Sequence, residues 1–503
     1  MPRRSPALLA LAGLAFTLSA CGARVDSSLR QQAADQALGR NGGGSSSGTG
    51  SGGTTTGDAG TTTSGATSTS GSGGGTTTGA GGGTTSGGGG STTTSGGGGG
   101  TTSGGGGTTT TGAPPPAGGN GGATDKGVTA TSITVGNVAD KSGPVPGLFK
   151  GAFVGTQAYF NMINSQGGIY GRKLQISSGD GQLNCNVNKS ETDSRVNSVF
   201  AFVGNFSLYD SCGAQSLAKH PEVPNVSNYL SSDAGKLPNT FATAPIGPGW
   251  RTGPLDYYKK TYGDKWSKIG GIYASVGSGP DVWNGTKNAI THSGGAVVYD
   301  ESYGATTTDY TGTVIRMRNK GVQMIYTNTT DGANTARLVN AVRGQNLNWP
   351  IIFGATAYAQ AFLSQAGSNA EGTLNDQQFA MFFNKDEAAK IPTVAAYQKW
   401  MNYTDSSQPE DIFSAYGWSS AMLFVDALKK AGPKATRKDL FTALKTFTNY
   451  DSEGMFAPAN PAGHKPALCW LFTKVQGGKF VRVAPSPSSG FICAGASYYP
   501  PVG

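Results

Sequence analysis

Between Asn41 and Ala123 the chain runs for 83 residues made almost entirely of glycine, threonine and serine, with Asp58 as the one charged residue. Of the 81 glycines in the 503-residue chain, 36 fall in this tract. So few apolar side chains cannot offset the chain entropy lost on folding, so the tract is expected to be a disordered linker. As a Gly-rich coil it would have an r.m.s. span of roughly 50 Å. Folding is therefore left to the 380 residues from Thr124 onward, enough for one two-lobed unit or two domains sharing a core. The whole-chain hydrophobic fraction of 36% is low because the tract dilutes it.

What precedes the tract reads as an address. Residues 1–20 have the form of a signal peptide, with Arg3 and Arg4 ahead of an apolar run from Ala7 to Leu18. That run is too short to span a hydrocarbon core of about 30 Å. Leu18-Ser19-Ala20-Cys21 matches the bacterial lipobox, in which the cysteine is lipidated and begins the mature chain. Residues 21–40 would then form the lipidated N-terminus, and the expected location is extracytoplasmic, anchored to the bacterial cell membrane. Removing Arg3 and Arg4 changes the formal charge from +9 to +7 (9 − 2), spread without a Lys/Arg cluster. This suits a protein near an anionic membrane better than one that binds nucleic acid.

With Cys21 taken by lipid, four cysteines remain: Cys185, Cys212, Cys469 and Cys493. An even number outside the cytosol points to two disulfides, for which sequence alone allows three connectivities. Cys185–Cys212 and Cys469–Cys493 are favoured, because each pair is close in sequence and both intervening loops are rich in turn formers. There is no C-x-x-C, and the only histidines are His220, His292 and His464, far apart in sequence. No metal or other cofactor is expected. The folded region has no Gly-x-Ser-x-Gly elbow or phosphate loop, and Gly179-Asp180-Gly181 lacks the third glycine of a dinucleotide fingerprint. An enzyme is not expected.

From Lys126 the pattern becomes a strand–helix alternation. Short apolar runs at 133–138, 174–177, 199–203 and 223–226 read as buried strands. After a Pro/Gly-rich junction at 245–254, strands at 269–273, 296–299, 324–326 and 351–353 alternate with helical patterns at 282–293, 310–319 and 335–345. Two long helical patterns follow within 391–447. This order predicts an α/β fold of two lobes, each a parallel sheet flanked by helices, with a ligand cleft between them. The expected division is 124–246 for the first lobe and 247–372 for the second. The chain would return to the first lobe over 373–455, and 456–503 would complete the second lobe or form a C-terminal segment. Ligands bind beyond the carboxyl ends of parallel strands, so the loops of interest are 140–147, 204–210, 227–233, 275–281, 327–334 and 354–358.

Three strings carry a resemblance: Ile133-Thr134-Val135-Gly136 with Ser142-Gly143-Pro144, Gly167-Gly168-Ile169-Tyr170-Gly171-Arg172-Lys173-Leu174, and Phe202-Val203-Gly204. Over Gly127 to about Val483 the chain resembles periplasmic binding proteins of type I, in particular the leucine/isoleucine/valine-binding proteins of ABC importers. The resemblance implies a monomeric substrate-binding lipoprotein that hands a small organic ligand, such as an amino acid or amide, to an ABC permease in the membrane. A ligand-sensing receptor lobe serving a signalling partner is the alternative. The family often has a disulfide close to the positions of Cys185 and Cys212.

The candidate ligand-binding residues follow from the loops and the resemblance together. Ser142, Gly143, Ser207, Ser227 and Ser231 would offer hydroxyls and backbone N–H groups to a carboxylate, with Ser207 and Ser231 near the family's carboxylate-binding hydroxyls. Phe206, Tyr229 and Tyr358 are candidates for an apolar wall, and Val276, Thr330 and Thr356 complete the set. The resemblance leads one to expect an acid after the strand at 351–353, but the chain reads Gly354-Ala355-Thr356-Ala357-Tyr358. Asp331 is the candidate replacement as countercharge to an ammonium, in competition with a helix N-cap role.

Overall fold

The computed structural model describes residues 118–499 except 146, 246–249, 305, 329, 486–489 and 494–497. The expected signal peptide, Cys21 and the linker up to residue 117 lie outside the described residues. The strands are β1 (Ser132–Ala139), β2 (Lys173–Asp180), β3 (Phe202–Val203), β4 (Asn225–Val226), β5 (Trp250–Arg251), β6 (Ile269–Ala274) and β7 (Val297–Tyr303). They continue with β8 (Met324–Thr327), β9 (Ile351–Phe353), β10 (Leu374–Gln377), β11 (Leu471–Gln476), β12 (Lys479–Ala484) and β13 (Tyr498–Tyr499). The first sheet is parallel, in the order β2-β1-β3-β4. The second has the order β12-β11-β10-β9-β8-β6-β7, parallel from β6 to β10, with β11 and β12 joining antiparallel. β5 and β13 pair separately.

Helices of seven residues or more are α1 (Lys150–Ser165), α2 (Cys185–Val196), α3 (Asp210–Ala218), α4 (Gly253–Tyr262), α5 (Gly279–His292), α6 (Thr311–Asn319) and α7 (Gly332–Gly344). After them come α8 (Gln360–Ala366), α9 (Pro392–Thr404), α10 (Ile412–Ala431) and α11 (Arg437–Leu444). α2 was not legible in the sequence. It buries only Asn188, Thr192 and Val196 and has no apolar stripe to read.

The stretch 391–447 folds as three helices rather than two. Asp411 and Thr436 each start a new helix with a reciprocal capping box, to Ser414 and Asp439 respectively. α10 packs on α1 and carries the chain back to the first sheet. The two helices touch closely because neither has a side chain at the crossing. A Cβ on Gly155 would sit 1.9 Å from the Ser414 carbonyl oxygen, and one on Gly417 would sit 2.1 Å from that of Ala152. The expected boundary at 372/373 needs moving. β10 at 374–377 belongs to the second sheet, so the crossing back to the first lobe comes after it. β11 and β12 were also missed; they form a hairpin whose two-residue turn, Gly477-Gly478, has both φ positive.

Arg172, within the Gly-Arg-Lys-Leu string, fastens the start of the described chain to the first lobe. Its guanidinium donates to the carbonyls of Asn120 and Gly122 at 2.6 Å each, Pro433 at 2.7 Å and Thr129 at 2.8 Å. The cysteines pair as favoured, Cys185 with Cys212 (Cα–Cα 5.4 Å) and Cys469 with Cys493 (Cα–Cα 4.0 Å). Both separations are within or close to the range a disulfide spans.

Candidate functional site

A cleft enclosing about 1570 Å³, counted out to its open mouth, lies between residues of the two sheets at the carboxyl ends of their strands. The first-lobe wall is aromatic. Phe149, just before α1, meets Phe206 and Phe413 edge-on at 5.0 and 4.7 Å between ring centroids, and Phe206 stacks on Tyr416 at 5.7 Å. Tyr416 in turn stacks on Phe456. Such packing fixes ring positions and presents a continuous apolar face. The second-lobe wall mixes apolar groups, among them Leu255, Val282, Tyr303 and Trp470, with polar ones at strand ends: Asn328 after β8, Thr356 after β9, and Asp376 and Gln377 in β10.

The walls are joined by a short bridge. Ser278, at the start of α5, donates its N–H to the Leu208 carbonyl at 3.0 Å, and its hydroxyl lies 3.3 Å from that carbonyl and from Asp210 Oδ1. Asp210, at the start of α3, accepts N–H bonds from Leu230 and Ser231 through its other oxygen, at 2.5 and 3.1 Å. Burial pushes the Asp210 carboxyl up, against the pull of those N–H groups. Gly277 makes the approach possible. It sits at φ +55, and a Cβ there would be 2.2 Å from the Leu208 carbonyl oxygen.

Of the twelve ligand-binding candidates, Phe206, Thr330, Asp331 and Thr356 line this cleft, and Val276 lines a smaller pocket that shares Leu148, Leu208, Ala274, Tyr303 and Asp331 with it. The other seven are committed elsewhere. Ser142 donates to Asp180 Oδ2 at 2.6 Å, and Gly143 packs against the Gln182 carbonyl. Ser207 accepts from the Tyr209 N–H at 2.9 Å, and Ser227 accepts from the Asn205 N–H at 3.0 Å. Ser231 caps a four-residue helical turn, accepting from the Ala234 N–H. Tyr229 is buried with Ala214, Ala234 and Ala242. Tyr358 is fully buried among Phe379, Phe382, Phe383 and Phe480. The serines therefore tie first-lobe loops together instead of facing the cleft, and of the three aromatic candidates only Phe206 walls it.

Asp331 takes the helix N-cap role and stands on the cleft wall. It caps α7, accepting from the Ala333 and Asn334 N–H groups at 2.9 and 3.0 Å. Thr330 and Thr356 are linked through the Thr356 hydroxyl, which donates to the Thr330 carbonyl at 2.6 Å.

Sequence reading missed three polar residues that line the cleft, Asn328, Asp376 and Gln377, and one buried acid that does not. Asp140, at the end of β1, is fully buried; its Oδ1 accepts from the Leu183 N–H at 3.1 Å. Burial raises its carboxyl to about 6, opposed by a hydrogen bond from Ser207. Asp140 stood within a loop of interest and carried no other signal. Asn328 also stood in such a loop, beside Thr330 and Asp331. Asp376 and Gln377 were invisible because β10, with the sequence Leu-Asn-Asp-Gln, has none of the apolar pattern of a strand. Among the described residues, no three His, Cys, Asp or Glu side chains are grouped to hold a metal, and no helix is long and apolar enough to cross a membrane.

A family model described as periplasmic binding protein matches residues 132–479. No curated protein matches the chain. Among solved structures, a fatty acid ABC transporter substrate-binding protein from Thermomonospora curvata is 21% identical with a TM-score of 0.61, covering 74% of this chain and 95% of that one. A branched chain amino acid ABC transporter from Thermus thermophilus with bound valine is 15% identical with a TM-score of 0.61, over 70% and 96%. An ABC transporter solute binding protein from R. palustris in complex with benzoate is 18% identical with a TM-score of 0.58, over 72% and 98%. The family match takes in both sheets and most of the cleft wall, and the solved neighbours share the fold across nearly their whole length. The chain belongs to the periplasmic binding protein family and has its type I fold.

Proposed function

We propose that this chain is a lipid-anchored, extracytoplasmic solute-binding protein that carries a small organic ligand to an ABC permease. The observation that supports this most is the cleft itself. It lies at the carboxyl ends of two parallel sheets, with walls from both lobes and a hydrogen-bonded bridge between them. Such a site binds by enclosure, and a partner that docks on the closed form reads out occupancy. The solved neighbours point the same way, with bound or named ligands that include valine, benzoate and fatty acids. The lipobox and the long Gly/Thr/Ser tract fit a tethered monomer held clear of the membrane. Ligand delivery, not catalysis, is the activity.

A thermal-shift screen followed by calorimetry tests the binding role, using amino acids, small amides, urea, aromatic acids and fatty acids. At least one class should raise Tm and bind stoichiometrically; no response across the panel would sink the transport reading. The anchor is tested separately. Cys21→Ser should move the protein from the membrane fraction to the soluble fraction, and unchanged membrane association would refute lipidation at that residue.

A further inference from the structure

Three helices begin at the cleft, α5, α7 and α10, and a helix start is where an anionic ligand would be drawn. The chain's own acids already hold these places. Asp331 accepts the Ala333 and Asn334 N–H groups of α7 through one oxygen, and the Asn334 side-chain amide donates to the other at 2.6 Å. Asp411 accepts the Ser414 N–H of α10 at 2.7 Å. At α5 the Ser278 N–H goes to the Leu208 carbonyl, and Asp281 stands in the first turn. On the first-lobe side Asp210 accepts the N–H groups of Leu230 and Ser231, in a loop expected from the sequence to receive a ligand's carboxylate.

No cation offsets these acids. Among the described residues that line the cleft there is no Lys, Arg or His, and the charged side chains are Asp331 and Asp376. Asp376 in turn has the Tyr258 and Tyr326 hydroxyls 3.2 and 3.5 Å from its Oδ1. The charges on the wall are thus met from within the protein. What stays open to a ligand is apolar: Leu148, Leu208 and Leu230 from the first lobe and Val282 from the second line the cleft and are only half-buried.

We infer that the ligand is an uncharged, largely apolar molecule without a carboxylate, held by apolar contact with both lobes. A carboxylate enclosed here would find the oxygens of Asp331 and Asp376 and no cation, and an ion left unpaired in a desolvated cleft opposes binding. An ammonium would have to compete with the N–H and hydroxyl groups those two acids already hold. An alcohol or ester therefore fits the cleft better than an amino acid, an aromatic acid or a fatty acid of the same body. This inference rests on the solute-binding reading and names its ligand class.

The test titrates the full chain calorimetrically with two series, each built on one apolar body: octanol, octanoate and octylamine, then phenylbutanol, phenylbutyrate and phenylbutylamine. In at least one series the alcohol should bind about tenfold or more tightly than both ions, a ratio that a small part of an ion's desolvation cost would produce. Val282→Lys adds the missing cation to the second-lobe wall and should bring that carboxylate to within about threefold of its alcohol. Leu148→Lys should do the same from the first-lobe wall. A carboxylate or ammonium that binds the parent as tightly as its alcohol would overturn the inference and leave the solute-binding role intact. So would an alcohol preference unchanged in both lysine variants. A ligand found only among the charged or strongly polar members of the wider panel would also overturn it, and silence across both series and that panel would sink both readings.

Discussion

Gly277→Ala should separate lobe closure from folding. A Cβ at this position would stand 2.2 Å from the Leu208 carbonyl oxygen and 2.9 Å from the Leu208 Cβ, across the cleft. The clash arises only when the lobes are together, whereas the strain of an alanine at φ +55 is present in every folded form. That strain costs about 1–2 kcal/mol and should be read as lost stability. Relieving the clash moves Leu208 away from Ser278, breaking the 3.0 Å N–H bond and the 3.3 Å hydroxyl contact. At about 1 kcal/mol each plus residual strain, closure loses about 2–3 kcal/mol. Ligand affinity should then fall by about 30- to 150-fold. Calorimetry with a ligand confirmed by thermal shift gives the affinity, and small-angle scattering of the saturated protein reports whether it stays open. Gly168→Ala is the control. Its Cβ would lie 2.1 Å from the Arg172 carbonyl oxygen, with both residues in the first lobe, so it should lower stability and spare affinity. Parental affinity in Gly277→Ala, or an equal affinity loss in Gly168→Ala, would refute the bridge as a closure contact.

Asp140 and Asp411 are each held at about 6 by burial, above their ordinary value of 3.8. A raised carboxyl binds a proton more readily when folded, so stability should rise as pH falls from 7 to about 4.5, by about 2 kcal/mol per group. Tm measured against pH should show this rise, and Asp140→Asn should remove part of it; a flat or falling parental profile over that range would be the opposite result. Replacing both Cys185 and Cys212 with serine should lower stability in urea by about 3–4 kcal/mol, the chain-entropy estimate for a loop of this length. A change below about 1 kcal/mol would mean that the hydrophobic core alone holds α2 to α3. Arg482 and Glu387 form an ion pair in which both side chains are buried. Arg482→Met should cost about 3–5 kcal/mol by stranding the carboxylate, and adding Glu387→Met should recover most of it. A double variant no more stable than the single would refute that account.

The alternation of apolar runs with helical spacing was enough to place β1, β2, β6, β8 and β9 within three residues of their observed ends. It was enough because these five strands carry apolar residues at most of their buried positions, and most of the flanking helices show a stripe. The disulfide pairing was also readable, since the partners lie only 27 and 24 residues apart. Local pattern fails where burial is not written in the pattern. β10 has the polar sequence Leu-Asn-Asp-Gln, yet all four residues are buried, because β9 and β11 enclose it on both sides.

The ligand-facing surface shows the same limit more sharply. Sequence could say which loops end the strands, but not which way each side chain turns. Ser207 turns to Asp140 and the Tyr209 N–H, Ser227 to the Asn205 N–H, and Tyr358 into a cluster of phenylalanines. In each case the partner lies on a neighbouring turn or a distant strand and outcompetes the cleft. The residues that line the cleft, among them Asn328, Gln377 and the aromatic wall from Phe149 to Phe456, come together from positions up to 307 apart (456 − 149). Composition and period decided the class of fold and the positions of its elements, because those depend on each segment's own burial. Which side chains were left to line the cleft was decided only when the two lobes and the returning helices packed, because a hydrogen bond is claimed by whichever partner tertiary structure brings within reach.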